Sequence, residues 1–228
     1  AVLSEIVRSA APQSVRTSSV LPLRDIDQPW RTYAALFSSR IEFSRASFGN
    51  ESYSRWSGRT NAFFWPSLVR VGIEAQKLAT QNHTSTDAAG LSGPMRYLWD
   101  DQPAGRPWRF SHTLDSAPRR RALVSGPLMG FISDYGDVLT GGERAGPATK
   151  PRFSRSSLLT FFGNEVILQA IVAINSPAYR TPTVKPDAPR RLERIIITVP
   201  AGMHPRERQI VLQRMQAAAK LTWAGLGW

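Results

Sequence analysis

The chain has 228 residues, a formal net charge of +12 and no cysteine. It is long enough to bury a core of one or two domains, and it can form neither a disulfide framework nor a thiolate zinc site. Its longest apolar run, residues 166–174, is shorter than the run of about 20 residues that crosses a bilayer, and its first twenty residues lack the apolar core of a signal peptide. We therefore expect a globular protein of a reducing compartment that has no membrane partner.

The first half of the chain predicts an arm followed by a region of strands. Residues 1–29 are rich in Ala, Ser, Val and Arg and have weak periodicity, which is typical of an N-terminal arm. Residues 30–44 predict a β-hairpin that turns at Ser38 and Ser39. Residues 67–81 predict a strand that leads into a short helix.

The middle of the second half predicts a long loop and a buried helix. Residues 134–152 are polar and rich in glycine and proline, which favours a loop. Residues 156–174 predict a helix that Ser156 or Ser157 caps. Because the apolar residues of this helix cover a wide arc, we expect it to be largely buried.

A strand–helix unit is predicted at the end of the chain, over residues 193–222. Residues 195–199 form a β-branched apolar run, and Pro200 ends it because proline has no N–H to donate. Pro205 has the fixed φ that suits a first helical turn. We expect residues 195–199 to form an interior strand of a mixed sheet, with the helix of residues 156–174 packed on one face.

Short motifs along the chain resemble, in the same order, those of DnaK-type chaperones in the actin-like ATPase superfamily. The most specific is Thr198-Val-Pro-Ala201 followed by Arg208-Gln209, where that family has a strand ending in T-V-P-A and then R-Q at a helix start. The earlier matches are Pro66-Ser67, Val71-Gly72 with Ala75, Arg96-Tyr97-Leu98 and Trp108-Arg109-Phe110. The resemblance implies that residues 30–228 form an α/β fold, a partial actin-like or ribonuclease H-like nucleotide-binding lobe with a mixed sheet and flanking helices.

The chain resembles the bacterial SrfB family more closely. The matching segments are Ser57-Gly-Arg-Thr-Asn-Ala62, Trp65-Pro-Ser-Leu-Val-Arg-Val-Gly72 and Gly90-Leu-Ser-Gly-Pro-Met-Arg-Tyr-Leu-Trp-Asp100. Members of this family are virulence factors, are themselves actin-like and are much longer than this chain. The resemblance implies a segment of a larger protein of the bacterial cytoplasm, with further residues before Ala1 and after Trp228.

The actin-like resemblance also implies where a nucleotide would bind. Such ATPases hold phosphate in D-x-G-T hairpins, and the nearest match is Asp25-Ile-Asp27-Gln28, unless the true loop lies upstream of the chain. Asp27 stands where glycine is needed, Pro29 removes a donor, and the family's charge-stabilising lysine falls on Met95. With Arg96 as the likeliest phosphate contact, Asp25, Asp27, Met95 and Arg96 are the predicted nucleotide-binding residues, for ATP and Mg²⁺ at a catalytically incomplete site.

Three functions are compatible with the sequence. The first is a nucleotide-binding segment that acts in assembly or effector delivery, and the second is a degenerate actin-fold scaffold that binds a protein partner without nucleotide. The third is a nucleic-acid-binding module, since 25 of the 29 basic residues are arginine. A metal site is not expected, because His83, His112 and His204 are isolated and have no carboxylates at ligand spacing.

The scattered arginines predict weak and unspecific binding to nucleic acid. Arg119-Arg120-Arg121 is the only run of three, so contacts to phosphates would be few. We expect labelled duplex DNA to bind weakly at low salt and to dissociate at physiological salt, without sequence preference, in a fluorescence anisotropy titration. Sub-micromolar affinity at physiological salt, with DNA preferred over heparin, would contradict this expectation.

Overall fold

A computed structural model of the chain describes residues 2–5, 17–25, 28, 30–33, 38–44, 65–81, 89–111, 121–139, 146–180 and 187–227. Across these ranges, short antiparallel strands combine with helices in a mixed α/β architecture. The strands are β1 Val2–Glu5, β2 Thr17–Val20, β3 Leu23–Arg24, β4 Thr32–Tyr33, β5 Ile41–Phe43, β6 Val69–Val71 and β7 Gly90–Leu91. The α-helices are α1 Gly72–Gln81, α2 Leu158–Asn175, α3 Pro177–Arg180 and α4 Pro205–Leu226, and short 3-10 helices lie at Pro94–Tyr97 and Pro127–Phe131.

The core is built on an antiparallel sheet with the strand order β6–β5–β7. Ile41 and Phe43 of β5 pair with Val71 and Val69 of β6, and all four side chains are buried. The aromatic rings that meet Phe43, at centroid distances of 5.4, 5.8 and 6.1 Å, belong to Trp108, Phe153 and Phe161. Burial of these large rings supplies much of the apolar area that stabilises the fold.

The predicted hairpin of residues 30–44 is wrong, because its two strands lie in different sheets. Strand β4 pairs with β3, and β5 pairs with β6 and β7. The β3–β4 hairpin closes through a tight turn in which the N–H of Arg31 donates to the carbonyl of Gln28 at 2.8 Å. Leu21 and Leu23 are buried in the main core, so the end of the predicted arm of residues 1–29 belongs to the fold.

The strand–helix pair predicted for residues 67–81 is present as β6 and α1. Gly72 begins α1 directly after the strand with a φ of +64°, in the left-handed region that favours glycine. Ala75 is fully buried one turn later, which seats the helix against the sheet. This sharp reversal is the reason that a glycine stands between strand and helix.

Helix α2 covers the predicted range of residues 156–174 almost completely and lies in the core. Ser157 occupies its N-cap, but the Ser157 hydroxyl donates to the carbonyl of Ser154 at 2.8 Å and makes no cap bond to the helix. Among the described helices, α2 alone has the length and composition that could cross a membrane. The apolar stretch of this helix is therefore longer than the run of residues 166–174 indicates. Inside the fold, 67% of this helix is buried, which is the behaviour of a core helix.

Helix α4 packs closely against α2. Its start is a capping box, in which His204 accepts from the N–H of Arg206 and the side chain of Glu207 accepts from the N–H of His204. At the contact with α2, the amide of Asn164 donates to the hydroxyl of Thr222 at 2.9 Å. This buried hydrogen bond fixes how the two helices are rotated about their axes.

The loop predicted for residues 134–152 contains no helix or strand in its described parts, 134–139 and 146–152. Its two ends are joined by Asp134, whose Oδ1 accepts from the N–H groups of Thr149 at 2.8 Å and Lys150 at 2.6 Å. An isolated β-bridge between Ile132 and Val138 holds the first part of the loop. The loop is therefore anchored by backbone donors and by Val138 and Ala148, which pack against the main core.

Residues 195–199 do not form the interior strand that their β-branched run predicts. They are extended but belong to no sheet of the described structure, and Ile196 is 78% exposed. The described edges of the main sheet are β6 and β7, and neither is paired with this segment. Instead, Ile197 and Val199 pack on a small apolar cluster beside α2 and α4. A β-prone sequence therefore remains unpaired at the surface.

Gly163 permits the close approach of α2 and α4, and substituting it should destabilise the protein. A Cβ at this position would lie 2.8 Å from the Cβ of Ala218 and 2.8 Å from the Sδ of Met215. We expect Gly163→Ala to lower the free energy of unfolding by about 1 kcal/mol, because an overpacking cost of about 1–3 kcal/mol exceeds a helix-propensity gain of about 1 kcal/mol.

Urea denaturation measures this difference, and Gly130→Ala is the matched control. A Cβ on Gly130 would meet no atom within 4 Å, so that variant should unfold at nearly the wild-type midpoint. If Gly163→Ala proved as stable as Gly130→Ala, α2 and α4 would not be in close contact at Gly163.

Candidate functional site

Asp25, the first predicted nucleotide ligand, is held inside the β3–β4 hairpin. Its side chain is 6% exposed, and Oδ1 accepts from the N–H of Gln28 at 3.0 Å. Its Oδ2 accepts from the hydroxyl of Tyr33 at 3.0 Å and lies 3.9 Å from the Nζ of Lys77 on α1. The carboxylate therefore ties the hairpin to α1. Asp27 lies outside the described residues.

Met95 and Arg96, the other two predicted ligands, share the 3-10 helix Pro94–Tyr97. Gly93 precedes this helix with a φ of +63°, and the N–H of Arg96 donates to the carbonyl of Gly93 at 2.9 Å. Met95 and Arg96 are both exposed, and the guanidinium of Arg96 makes no hydrogen bond or ion pair to any described residue. No described contact joins this turn to Asp25, so a shared nucleotide site stays a prediction.

A groove of 570 Å³ runs along α4 beside this turn, a volume within the range of small-molecule pockets. Trp99 is 51% exposed at its rim, donates from Nε1 to Glu207 at 3.1 Å and carries the guanidinium of Arg206 5.4 Å from its ring centroid. On the opposite side, Arg214 donates to Asp137 at 2.8 Å and to Ser156 at 3.1 Å. Asp137 and Arg214 of the groove are thus already paired with each other, and Arg206 is stacked on Trp99.

The extended segment of residues 194–199 has an unusual backbone. None of its N–H or C=O groups is hydrogen-bonded within the part of the chain that the structure describes. Ile195 is 41% and Ile196 78% exposed, whereas Ile197 and Val199 are partly buried. The alternation leaves one side of the segment packed and the other in water, as in a strand of a half-buried sheet. We call residues 194–199 the free strand.

Side-chain clamps hold the chain on both sides of the free strand. Before it, Asn175 at the end of α2 accepts from the N–H of Arg190 at 2.9 Å and donates to the carbonyl of Arg190 at 3.0 Å. After it, Arg208 donates to the carbonyls of Ala201 at 2.6 Å and Met203 at 2.9 Å. These bonds hold the chain at residue 190, before the free strand, and at residues 201 and 203, after it, so both approaches to the strand are fixed by the folded protein.

The packed side of the free strand lies on a small apolar cluster. Ile197 and Val199 contact a layer made by three different elements, and the buried members of that layer are Leu98, Leu159 and Val211. Leu159 belongs to α2 and Val211 to α4, so the packed side of the strand contacts both core helices. The sequence motif T-V-P-A marked this segment, but it did not indicate the clamps from Asn175 and Arg208.

No cluster of three or more His, Asp or Glu side chains that could hold a metal ion occurs in the described ranges. A comparison with curated proteins found no match, and a comparison with solved structures found none either. The family model described as virulence factor SrfB matches residues 2–228, which is nearly the whole chain. The chain therefore belongs to the SrfB family of virulence factors.

Proposed function

We propose that this SrfB-family chain is a scaffold in a virulence-associated assembly and that it binds a protein partner by strand addition along residues 194–199. The observation that carries the proposal is the free strand, which is extended, is held by side-chain bonds before and after it, and has backbone groups without a hydrogen bond to any described residue. An extended peptide that lies beside such a strand gains main-chain hydrogen bonds, and its alternate side chains give specificity.

Preorganisation favours this mode of binding. Ordering the backbone of a flexible segment costs about 1–2 kcal/mol per residue. The free strand is already extended in the folded protein, between bonds at Arg190 and Met203, so this ordering does not have to occur on binding. A partner strand then loses only its own conformational freedom on binding. The net gain per backbone hydrogen bond is about 0.5–1.5 kcal/mol, so several bonds together give useful affinity.

The charges next to the free strand indicate the chemistry of the partner. Arg191 and Arg194 are both exposed at its N-terminal end. Opposite charges across neighbouring strands stabilise pairing, and complementary charge also speeds association. The exposed side of the strand itself is apolar at Ile196. We infer a partner strand that has a β-branched or aromatic centre and at least one Asp or Glu at the end that meets the arginines.

The scaffold itself we propose to be a degenerate actin-like lobe. The proposal is supported by the order of elements, since β6 enters α1 at Val71-Gly72, Arg96 lies on a short helical turn, and α2 precedes the T-V-P-A segment and α4. The chain differs from the expected lobe in its small antiparallel sheet and in the T-V-P-A segment, which joins no sheet of the described structure. Because no strand of the described sheets pairs with residues 194–199, their backbone can pair with a strand of another chain.

Nucleotide binding is the second candidate function, and the accessible guanidinium of Arg96 favours it. An exposed arginine without a protein partner is well suited to a phosphate group. The other predicted ligands add little, because Asp25 is engaged with Tyr33 and Gln28, and Met95 cannot stabilise phosphoryl charge. We therefore propose weak binding of ATP and Mg²⁺ without hydrolysis.

Proline substitution in the free strand tests the main proposal. The probe is a synthetic peptide of alternating Val and Thr with two Glu residues at each end, titrated into labelled protein and followed by the backbone amide signals of residues 194–199. Since adjacent N–H groups point to opposite edges of a strand, Ile195→Pro and Ile196→Pro together cover both edges. We expect at least one of them to weaken peptide binding about tenfold, the loss of roughly one backbone hydrogen bond.

Ile196→Val is the matched control, because it keeps the N–H and the β-branched shape, and it should bind the peptide like wild type. All three variants should unfold at nearly the wild-type temperature, since the substituted N–H groups have no bond in the described structure. Equal peptide affinity in both proline variants and wild type would remove strand addition as the function of this segment.

The nucleotide proposal predicts binding without turnover. With purified chain and magnesium, we expect phosphate release from ATP at the rate of the protein-free background, because phosphoryl transfer needs a phosphate cradle and a charge stabiliser held together. Weak binding of a fluorescent ATP analogue should be lost in Arg96→Ala and kept in Arg106→Ala, another exposed arginine. Turnover that disappears in Arg96→Ala would instead identify a working ATPase.

A further inference from the structure

Two charged side chains lie buried opposite each other in the middle of the main sheet. Glu42 of β5 and Arg70 of β6 are cross-strand partners, so their side chains share the face opposite to Ile41 and Phe43. Glu42 is 2% exposed and Arg70 is 1% exposed. Gly90 of β7 is the partner of Glu42 on the other side, and a Cβ there would clash with the Glu42 carboxylate. The sheet is therefore shaped around these two groups.

The hydrogen bonds of Glu42 are nearly complete. Its Oε1 accepts from Nε of Arg40 at 3.0 Å and also from Nη2 of the same guanidinium. Its Oε2 accepts from the hydroxyl of Ser111 at 2.7 Å. A carboxylate oxygen has two lone pairs, so Oε2 can accept one further hydrogen bond. Arg40 therefore neutralises Glu42.

Arg70, in contrast, has no counter-charge within ion-pair distance among the described residues. Its Nη1 donates to the carbonyl of Val69 at 3.2 Å, whereas its Nη2 is buried and has no hydrogen-bond partner. No ion pair of Arg70 occurs in the described part of the chain. A buried guanidinium without a partner is strongly unfavourable, and native proteins normally supply an anion or a carboxylate. The cluster of Arg40, Glu42 and Arg70 thus carries a surplus positive charge in the interior.

The cluster reaches solvent on one side. The side chain of Arg40 is 29% exposed, and its Nη1 donates to the hydroxyl of the exposed Ser92 at 2.8 Å. Arg40 and Ser92 therefore mark the side from which a small anion would approach the inner Arg70. A ligand that bridges Arg70 and Glu42 would accept from the guanidinium and would have to donate a proton to Oε2 rather than present another lone pair to it.

We propose that this cluster, the Arg70 site, binds inorganic phosphate. Near neutral pH inorganic phosphate is an anion that still carries at least one proton, so it can accept from Nη2 of Arg70 and donate to Oε2 of Glu42. Sulfate carries no proton and would place a bare oxygen against the carboxylate. A phosphate monoester is mostly a dianion at pH 7, since its second pKa is about 6, and it has the same defect. Arginine is the residue best suited to bind such an oxyanion.

Calorimetric titration of the full chain with sodium phosphate, sodium sulfate and methyl phosphate, at one ionic strength, tests the proposal. We expect phosphate to bind at least about tenfold more tightly than the other two anions, because a buried acceptor discriminates strongly against a ligand that cannot donate to it. Phosphate should also raise the thermal unfolding temperature. Equal affinity for phosphate and sulfate, or no binding of phosphate, would overturn the proposal.

Two substitutions make the test specific. Arg70→Met should abolish phosphate binding and fold at least as well without phosphate, because it removes an unpaired buried charge. Glu42→Gln replaces the acceptor by an amide that can donate, so the preference for phosphate over sulfate should disappear. Arg106→Met, on the exposed surface, should bind phosphate like wild type.

The outcomes distinguish the Arg70 site from unspecific anion binding. If Arg70→Met does not fold, the phosphate-to-sulfate affinity ratio in Glu42→Gln decides, and an unchanged ratio rejects the site. If phosphate binding persists in a folded Arg70→Met variant, the anion binds elsewhere and the proposal fails.

Discussion

Helix α2 holds the fold together through buried polar side chains, and their pairing constrains everything packed around it. Glu165 accepts from the indole of Trp65 at 2.9 Å and from the amide of Gln169 at 2.9 Å. Gln169 also bonds both backbone groups of Arg24, and Asn164 bonds Thr222. Because an unsatisfied buried polar group is costly, the rotation of α2 must satisfy β3, the segment before β6 and α4 at once. Apolar packing alone would permit several.

The position of α2 also determines where the free strand lies. Leu159, in the first turn of α2, lies in the apolar cluster that packs against Ile197 and Val199. Asn175, in the last turn, forms two hydrogen bonds with the backbone of Arg190. The strand is thus attached to both ends of one rigid helix. Its exposed side therefore has a fixed orientation even though no neighbouring strand pairs with it. A surface of this kind is prepared for a partner by the core rather than by a flexible loop.

The sequence predicted those elements whose causes are local. Helices α2 and α4 follow from apolar spacing and from start signals such as Pro205, and the β6–α1 unit follows from an apolar run that ends at Gly72. Strand pairing depends on residues far apart in the chain, so the hairpin of residues 30–44 and the interior strand of residues 195–199 were both wrong. The pattern of apolar residues predicts that a segment is extended, but it does not predict which strand that segment will pair with.

The site was harder to predict than the fold for the same reason. Arg96 could be named from a local motif, whereas the clamps from Asn175 and Arg208 depend on a distance that only the folded chain defines. In β5 and β6, the alternation of apolar and charged residues is typical of a sheet with one face in water, yet Glu42 and Arg70 are buried. Nothing local in either strand reveals that both faces of the sheet are covered.

In the described structure, the backbone of the free strand and the guanidinium of Arg70 both lack partners, and their different surroundings give them different consequences. The residues of the free strand are exposed or half-buried, so water can satisfy their backbone groups without a partner strand. The guanidinium of Arg70 is buried, so water does not replace the missing anion and the unbound state carries a lasting electrostatic cost. Binding at the free strand should therefore change assembly with little effect on folding. Binding at the Arg70 site should act on folding itself, because the ligand removes a penalty that the apo protein bears.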